Sequence, residues 1–352
     1  MSRETPMYGR REARGGGLWS GDGQTVPYSG ESYYGRPALK PSHYRWLITG
    51  YLFAGGLAGA SQIIATVADL VGRRGDRGVV RAGRYVALLG ALVSPIFLIL
   101  DLHTPKRWYN MMRIFRSSSP MSIGSWTLAA FGTLSGVAAT GQVLEDLTAA
   151  RVGRWTARLA GIPAAVAGAV MSCYTGSLLS ATSVPFWAAV YRLLPPLFGT
   201  SAMSTAAAAT SLAIDAAGAG EHARRSMEKI ALVASTGELA LTLACDWEWR
   251  RRGAATPLNE HPKVGLAYRF GVLGLGIVVP LFIHAIQTLT GRRSATATRL
   301  ASISALVGGF IQRAVLTFGG NSSAARAEDY LRFTQPGQEV SGNGRAGQRV
   351  LA

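Results

Sequence analysis

The sequence predicts an all-α fold, a polytopic membrane helix bundle of about eight transmembrane helices. Three observations lead there. Hydrophobic residues make up 48% of the 352 positions and charged ones only 16%, with a mean hydropathy above zero, a balance outside the soluble range. Apolar runs of about 20 residues, the length that spans hydrocarbon, recur along the chain. Many of the 43 glycines fall within those runs, where helices associating in lipid need small residues to approach closely.

Residues 1–43 carry Gly15 to Gly17 and scattered arginines but no apolar run, and read as an extended polar N-terminal tail. No apolar segment follows the Arg10–Arg11 pair until Leu47, and that run is long enough to span, so no cleaved signal peptide is expected. A transmembrane domain over 44–320 holds apolar runs near 46–71, 84–102, 121–144, 158–180, 187–214, 226–245, 264–290 and 299–319. The fifth contains Arg192, Pro195 and Pro196. Either Trp187 to Leu194 is a short interfacial helix, or the proline pair bends one long span. Counted as one span it gives eight, with both tails on one side. Residues 321–352 form a polar C-terminal tail, and neither tail buries enough apolar surface to order without a partner.

Loops after the first, third, fifth and seventh spans carry almost twice as many Lys and Arg as the opposite loops. By the positive-inside rule this sets a multi-pass protein of the cell membrane with its tails outside the cytoplasm, although Arg36, Lys40 and Arg45 pull the other way. The net charge of +17 follows that topology and suits anionic lipid. It forms no basic face with interleaved aromatics, so nucleic acid is not an expected partner.

Two cysteines, Cys173 and Cys245, are too few for a four-iron cluster. Of the five histidines only His284 lies well inside an apolar run, whereas haem b needs a facing pair. No iron-sulfur cluster, haem or other metal is expected in this chain. Asp215, Glu238 and His284 sit in or near later spans, where ionisable groups are costly, and are candidates for a proton relay; a histidine placed like His284 is more often a satisfied bundle histidine than a proton carrier.

The densest polar chemistry lies between the second and third spans, in DLHTPKRWYNMMRIFRSSSPMSIGSW from Asp101 to Trp126. It is too polar to cross the membrane and so lies at one surface. Asp101 either pairs with Arg107 to shape the turn or transfers protons, and both can hold at once. Tyr51, Trp126, Tyr174 and Trp187 fall near predicted interfaces, where aromatic belts are ordinary.

In order along the chain, GGLAGA (Gly55 to Ala60), DLHTPKRWYNMM (Asp101 to Met112), SPMSIGSW (Ser119 to Trp126), YTGSLLSAT (Tyr174 to Thr182) and VPFW (Val184 to Trp187) resemble the NrfD/PsrC family. These are integral membrane subunits of polysulfide reductase-like complexes. Asp101, Pro105, Arg107 and Asn110 match the family's run, while His103 and Thr104 stand where Gly-Arg is usual. The resemblance is strong from the first span to Trp187 and weaker through Arg313 to Gly319. It implies eight spans, no metal cofactor, a quinone site (menaquinone the expected quinone), a ferredoxin-like iron-sulfur subunit docked on that face, and a molybdopterin catalytic subunit beyond it. The family's histidine before the GLAG run corresponds here to Tyr51, which can hydrogen-bond a quinone oxygen but cannot titrate near neutral pH.

The topology independently brings Tyr51, Asp101, Ser119, Ser122, Trp126 and Tyr174 to the tail-side rim. A quinone pocket between Tyr51, Asp101, Trp126 and Tyr174 is therefore expected, with Asp101 as proton acceptor. Arg107, Asn110, Arg113 and Arg116, beside Trp108 and Tyr109, are the expected docking face for the iron-sulfur subunit. The competing readings are a passive membrane anchor of such a complex and a proton-coupled secondary transporter.

Overall fold

In hydrocarbon a chain must close its own backbone hydrogen bonds, so each apolar run becomes a helix. The computed structural model describes residues 39–218 and 220–334. Eight helices are long and apolar enough to cross a membrane: α1 (Trp46–Val71), α2 (Arg77–Leu100), α3 (Pro120–Thr148), α4 (Arg151–Ser180), α5 (Leu194–Ala216), α6 (Glu221–Arg251), α7 (Pro262–Thr290) and α8 (Ala295–Ala324). No strand occurs among the described residues. The all-α membrane bundle of eight spans is the observed fold.

The helix starts follow local chemistry. Ser119 caps α3 by accepting from the Ser122 N–H, and Pro120 occupies the first helical position, where a missing N–H leaves nothing unsatisfied. The same principle corrects the expected fifth span. Pro195 and Pro196 neither bend a long helix nor follow an interfacial one: they lie in the first turn of α5, which begins at Leu194. The segment before it holds one helical turn, Pro185–Ala188, whose Phe186 and Trp187 are fully buried. In α7, wide π turns over Ala267–Val278 precede Pro280, whose ring would crowd the carbonyl of a regular preceding turn.

The chain runs antiparallel through the bundle, so the starts of α1, α3, α5 and α7 share one end with the finishes of α2, α4, α6 and α8. α1 packs against α2, α4 and α5, and α5 packs in turn against α6 and α8. At the α1–α4 crossing a Cβ on Gly59 would stand 2.3 Å from the Gly168 carbonyl oxygen, so only glycine permits this approach.

α8 continues past the expected edge at residue 320, and a further short helix, Ala327–Thr334, follows it. The stretch before α1 is tied to that helix end. Ser42 donates to Asn321 Oδ1 from both its N–H (3.0 Å) and its hydroxyl (2.6 Å), and Asn321 Nδ2 donates to the Tyr44 carbonyl at 2.9 Å. Here the expectation of tails ordering only against a partner is corrected, because side-chain hydrogen bonds to α8 hold residues 42–44. The remainder of both expected tails, 1–38 and 335–352, lies outside the described residues.

Candidate functional site

At the tail-side rim, Asp101 is the residue that follows α2, its N–H bonded to the Phe97 carbonyl at 3.1 Å. Its carboxylate is half-buried, and among the described residues no Lys, Arg or His comes within ion-pair distance. The expected pairing with Arg107 is thus not formed. Burial pushes the Asp101 carboxyl above the usual carboxylate range, opposed by the positive field of His43 and Arg45. Tyr44, just before α1, has its phenol pushed up by burial and then by the Asp101 charge. The hydroxyls of Tyr44, Tyr51 and Tyr174 lie within electrostatic range of one another. Tyr51, Tyr174 and Asp101 therefore come together as the topology predicted, with Tyr44 among them.

Tyr174 is fixed by a contact that the motif alone does not reveal. Its hydroxyl donates to the Pro120 carbonyl, and its ring lies where a side chain on Gly124 would have to go. The SPMSIG run thus seats Tyr174 with both its proline and its glycine. Trp126 is two residues on from Gly124, about 200° round the helix. It is 39% exposed, and among the described residues the aromatic ring it meets is that of Phe115, edge-on at 6.2 Å between centroids. The expected place for Trp126 in the pocket is corrected by that helical phase.

The indole that packs beside Tyr44 is that of Trp187, which no interfacial belt holds. It is fully buried, its Nε1 donates to the Leu316 carbonyl at 2.7 Å, and its centroid lies 6.2 Å from that of Tyr44. Phe186 beside it stacks on Trp249 at 4.4 Å, and Trp249 Nε1 donates back to the Phe186 carbonyl at 2.7 Å.

Outside this group the Pro105–Met112 helical turn and the residues after it stand in the open. Arg107, Asn110, Arg113 and Arg116 are all exposed, and among the described residues none of the three arginines forms an ion pair. Trp108, Tyr109, Ile114 and Phe115 are exposed beside them. The surface is cationic and apolar together.

The sequence profile of polysulphide reductase, NrfD, matches residues 38–324. This chain belongs to the NrfD family. No curated protein matches the sequence. Family members are membrane subunits of polysulfide reductase-like complexes, and this NrfD protein is a multi-pass membrane protein of that kind.

The three relay candidates of this NrfD protein are not brought together. Asp215 ends α5 at the far face, ion-paired to Arg224 at 2.8 Å and to Arg299. Glu238 is buried within the bundle and accepts from Gln312 Nε2 at 3.2 Å. Arg313 lies beside it, donating to Gln312 and, at 3.2 Å, to the Phe198 carbonyl, with its guanidinium 4.0 Å above the Phe198 ring. Ser204, on α5 near Glu238, lies about 16 Å along the helix from Asp215 at 1.5 Å per residue. His284 is buried on α7, its Nδ1 without a hydrogen-bond partner among the described residues. The expected relay through Asp215, Glu238 and His284 is therefore corrected: it is one far-side ion pair, one internal polar cluster and one lone histidine.

Sequence reasoning missed Tyr44, His43 and Arg45, which surround Asp101. They straddle the boundary drawn between tail and first span. Their signal was a cationic and aromatic cluster (HYRW, His43 to Trp46) directly before an apolar run, and nothing local says that it faces the end of α2.

Proposed function

We propose that this protein is the quinone-reactive membrane subunit of a respiratory oxidoreductase complex. It exchanges electrons and protons between the quinone pool, with menaquinone as the expected quinone, and a ferredoxin-like iron-sulfur subunit docked on the exposed rim. A molybdopterin catalytic subunit lies beyond that partner. The complex sits in the cell membrane with this rim outside the cytoplasm, in keeping with the loop charges.

The observation that carries the reading is Asp101, a half-buried carboxylate at the rim with no cation within ion-pair distance among the described residues and a proton affinity raised by burial. A carboxylate held this way takes a proton from a neighbouring hydroxyl more readily than a solvated one, and from the rim it can hand that proton to water. Two electrons and two protons leave a quinol together, so a single base at the surface serves twice by releasing each proton in turn. Tyr51, buried near Tyr174 and Tyr44, of which Tyr44 in turn lies in the field of Asp101, supports the role of hydrogen-bond partner to a ring oxygen. Tyr174 supports it less directly, because its own proton is engaged by Pro120 and only its lone pairs remain for a ligand.

Replacing Asp101 by Asn keeps size and hydrogen bonding while removing the base. Quinol-coupled electron transfer by the intact complex should fall ~10²- to 10⁴-fold, the usual worth of a positioned acid or base, with the partners still copurifying. Full turnover in Asp101→Asn would sink the proton-acceptor role. The rival reading, a passive anchor, draws on the engagement of Tyr174 with Pro120. Displaceable binding of a quinone analogue by the intact complex separates the two, since an anchor binds none.

A further inference from the structure

At the face opposite the candidate site, where α1 and α3 end and α2 and α4 begin, a cleft of about 610 Å³ opens between the helix ends. Its charges do not balance. Arg81 pairs with Asp146 at 2.7 Å and Arg154 with Glu145 at 2.8 Å, while Arg84 and Arg158 share the single carboxylate of Asp69 at 3.0 and 3.5 Å. Arg73 and Arg77 also line the cleft, exposed, and among the described residues neither guanidinium is ion-paired, the Arg73 backbone N–H alone donating to Asp76. All three carboxylates are thus engaged and a cationic surplus is left facing the space.

Arg84 supplies a second, independent sign. It is only 1% exposed, which is unusual for a guanidinium in a membrane bundle. Two of its nitrogens are satisfied, by Gln142 Oε1 at 2.7 Å and by Asp69, but Nε has no acceptor among the described residues. Buried donors left over in this way call for an oxygen that the protein itself does not provide. The cleft also adjoins a second of about 390 Å³, whose walls share Ala68 and Gly72 with it and are otherwise chiefly apolar, including Ile63, Val67, Val71 and Ile230. Val67 and Val71 lie 55% and 82% exposed on the outer surface of α1.

The geometry points to a binding site for the headgroup of an anionic phospholipid, its phosphodiester oxygens against the unpaired arginines and an acyl chain along the apolar cleft beside them. A phosphodiester brings acceptor oxygens and negative charge, which the surplus guanidinium groups require, and guanidinium forks suit it better than ammonium groups would. The apolar annex favours a lipid over a free phosphate ion. Basic pockets between helix ends are the setting in which membrane proteins hold such headgroups.

The test uses the full-length protein and three environments: phosphatidylcholine nanodiscs, phosphatidylglycerol nanodiscs, and phosphatidylcholine nanodiscs with inorganic phosphate added. Native mass spectrometry of the protein released from its membrane should show a retained anionic phospholipid. The thermal midpoint should rise in phosphatidylglycerol and in neither other arm. Arg73→Gln with Arg77→Gln should lower lipid retention by about fivefold per arginine. Arg225→Gln with Arg292→Gln, which removes the same charge from the same face at residues that line neither the cleft nor its apolar annex, should leave it unchanged. Equal losses in the two double variants would mean diffuse attraction to the membrane and would overturn the site. Inorganic phosphate matching phosphatidylglycerol would overturn the lipid assignment, as would the absence of any retained lipid.

Discussion

At the scale of single residues the rim is a study in where a proton is held. The Asp101 carboxyl titrates above the ordinary carboxylate range because burial disfavours its charge, and His43 and Arg45 offset only part of that. A folded-state pKa that is raised makes a contribution to stability that is full below the unfolded pKa and lost as pH climbs through the folded value. Asp101→Asn should therefore leave stability at pH 7 unchanged or improved, and should flatten the dependence of the thermal midpoint on pH just above the usual carboxylate range, ~3.9 for Asp. A variant less stable than the parent at pH 7 would mean that the charged form is held by a partner. On the proposed role the same group is the base in turnover, so activity should decline as acid titrates it. Tyr174 makes the complementary case. With its hydroxyl donating to Pro120, Tyr174→Phe should cost about 0.5 to 1.5 kcal/mol of stability from one lost hydrogen bond, measurable by denaturation in detergent. A drop in quinone-analogue affinity with no loss of stability would instead assign the hydroxyl to the ligand. The placement of Asp101, Tyr51 and Tyr174 at one rim was legible because motif order and topology both point to them. The swap of Trp126 for Trp187 was not, because it depends on helical phase and on a carbonyl in α8, 129 residues away in sequence.

At the scale of elements, glycine decides what fits where. A Cβ on Gly320 would lie 2.0 Å from the Trp187 ring, so the last helix can accept this indole only at a bare backbone position. Trp187 in turn flanks Tyr44, which links a residue near the end of α8 to the stretch beside Asp101. Gly320→Ala should therefore destabilise the protein by about 1 to 3 kcal/mol through overpacking. Gly132→Ala, in α3 with no atom within 4 Å of the added methyl, should be neutral or stabilising because alanine is the better helix former. Thermal midpoints of the two variants side by side give the comparison, and equal midpoints would remove Trp187 as a wedge. The helices themselves were readable from apolar length alone. Their ends were less so: the prolines of α5 carry the same letters whether they bend a helix or begin one, and only the buried Pro185–Ala188 turn before them tells which.

At the scale of the whole molecule the two ends of the bundle have different electrostatic characters, and this bears on assembly. The far end compensates most of its arginines with carboxylates, as Asp215, Glu228, Asp69, Glu145 and Asp146 each hold at least one. At the tail-side rim, Arg250, Arg251 and Arg252 pair with Asp246 and Glu248. The stretch from Arg107 to Arg116 has no such partners among the described residues and carries exposed Trp108, Tyr109, Ile114 and Phe115. An uncompensated cationic surface studded with aromatic and aliphatic side chains is what an acidic protein partner would cover, with the arginines steering its approach and the rings supplying buried area. Composition and loop charge foretold the membrane and the exposed rim, but they could not foretell which loops neutralise themselves, since that depends on carboxylates brought from neighbouring helices. Reversing charge at Arg113 and Arg116 should loosen the proposed iron-sulfur subunit, chiefly through slower association, and the deficit should shrink as salt screens the interaction over ~8 to 10 Å. Neither arginine lies in the buried packing, so the thermal midpoint of the isolated subunit should stay put while partner retention on an affinity column falls. Retention unchanged by the double substitution at low salt would move the docking face away from this stretch, to a surface that Asp101 does not adjoin.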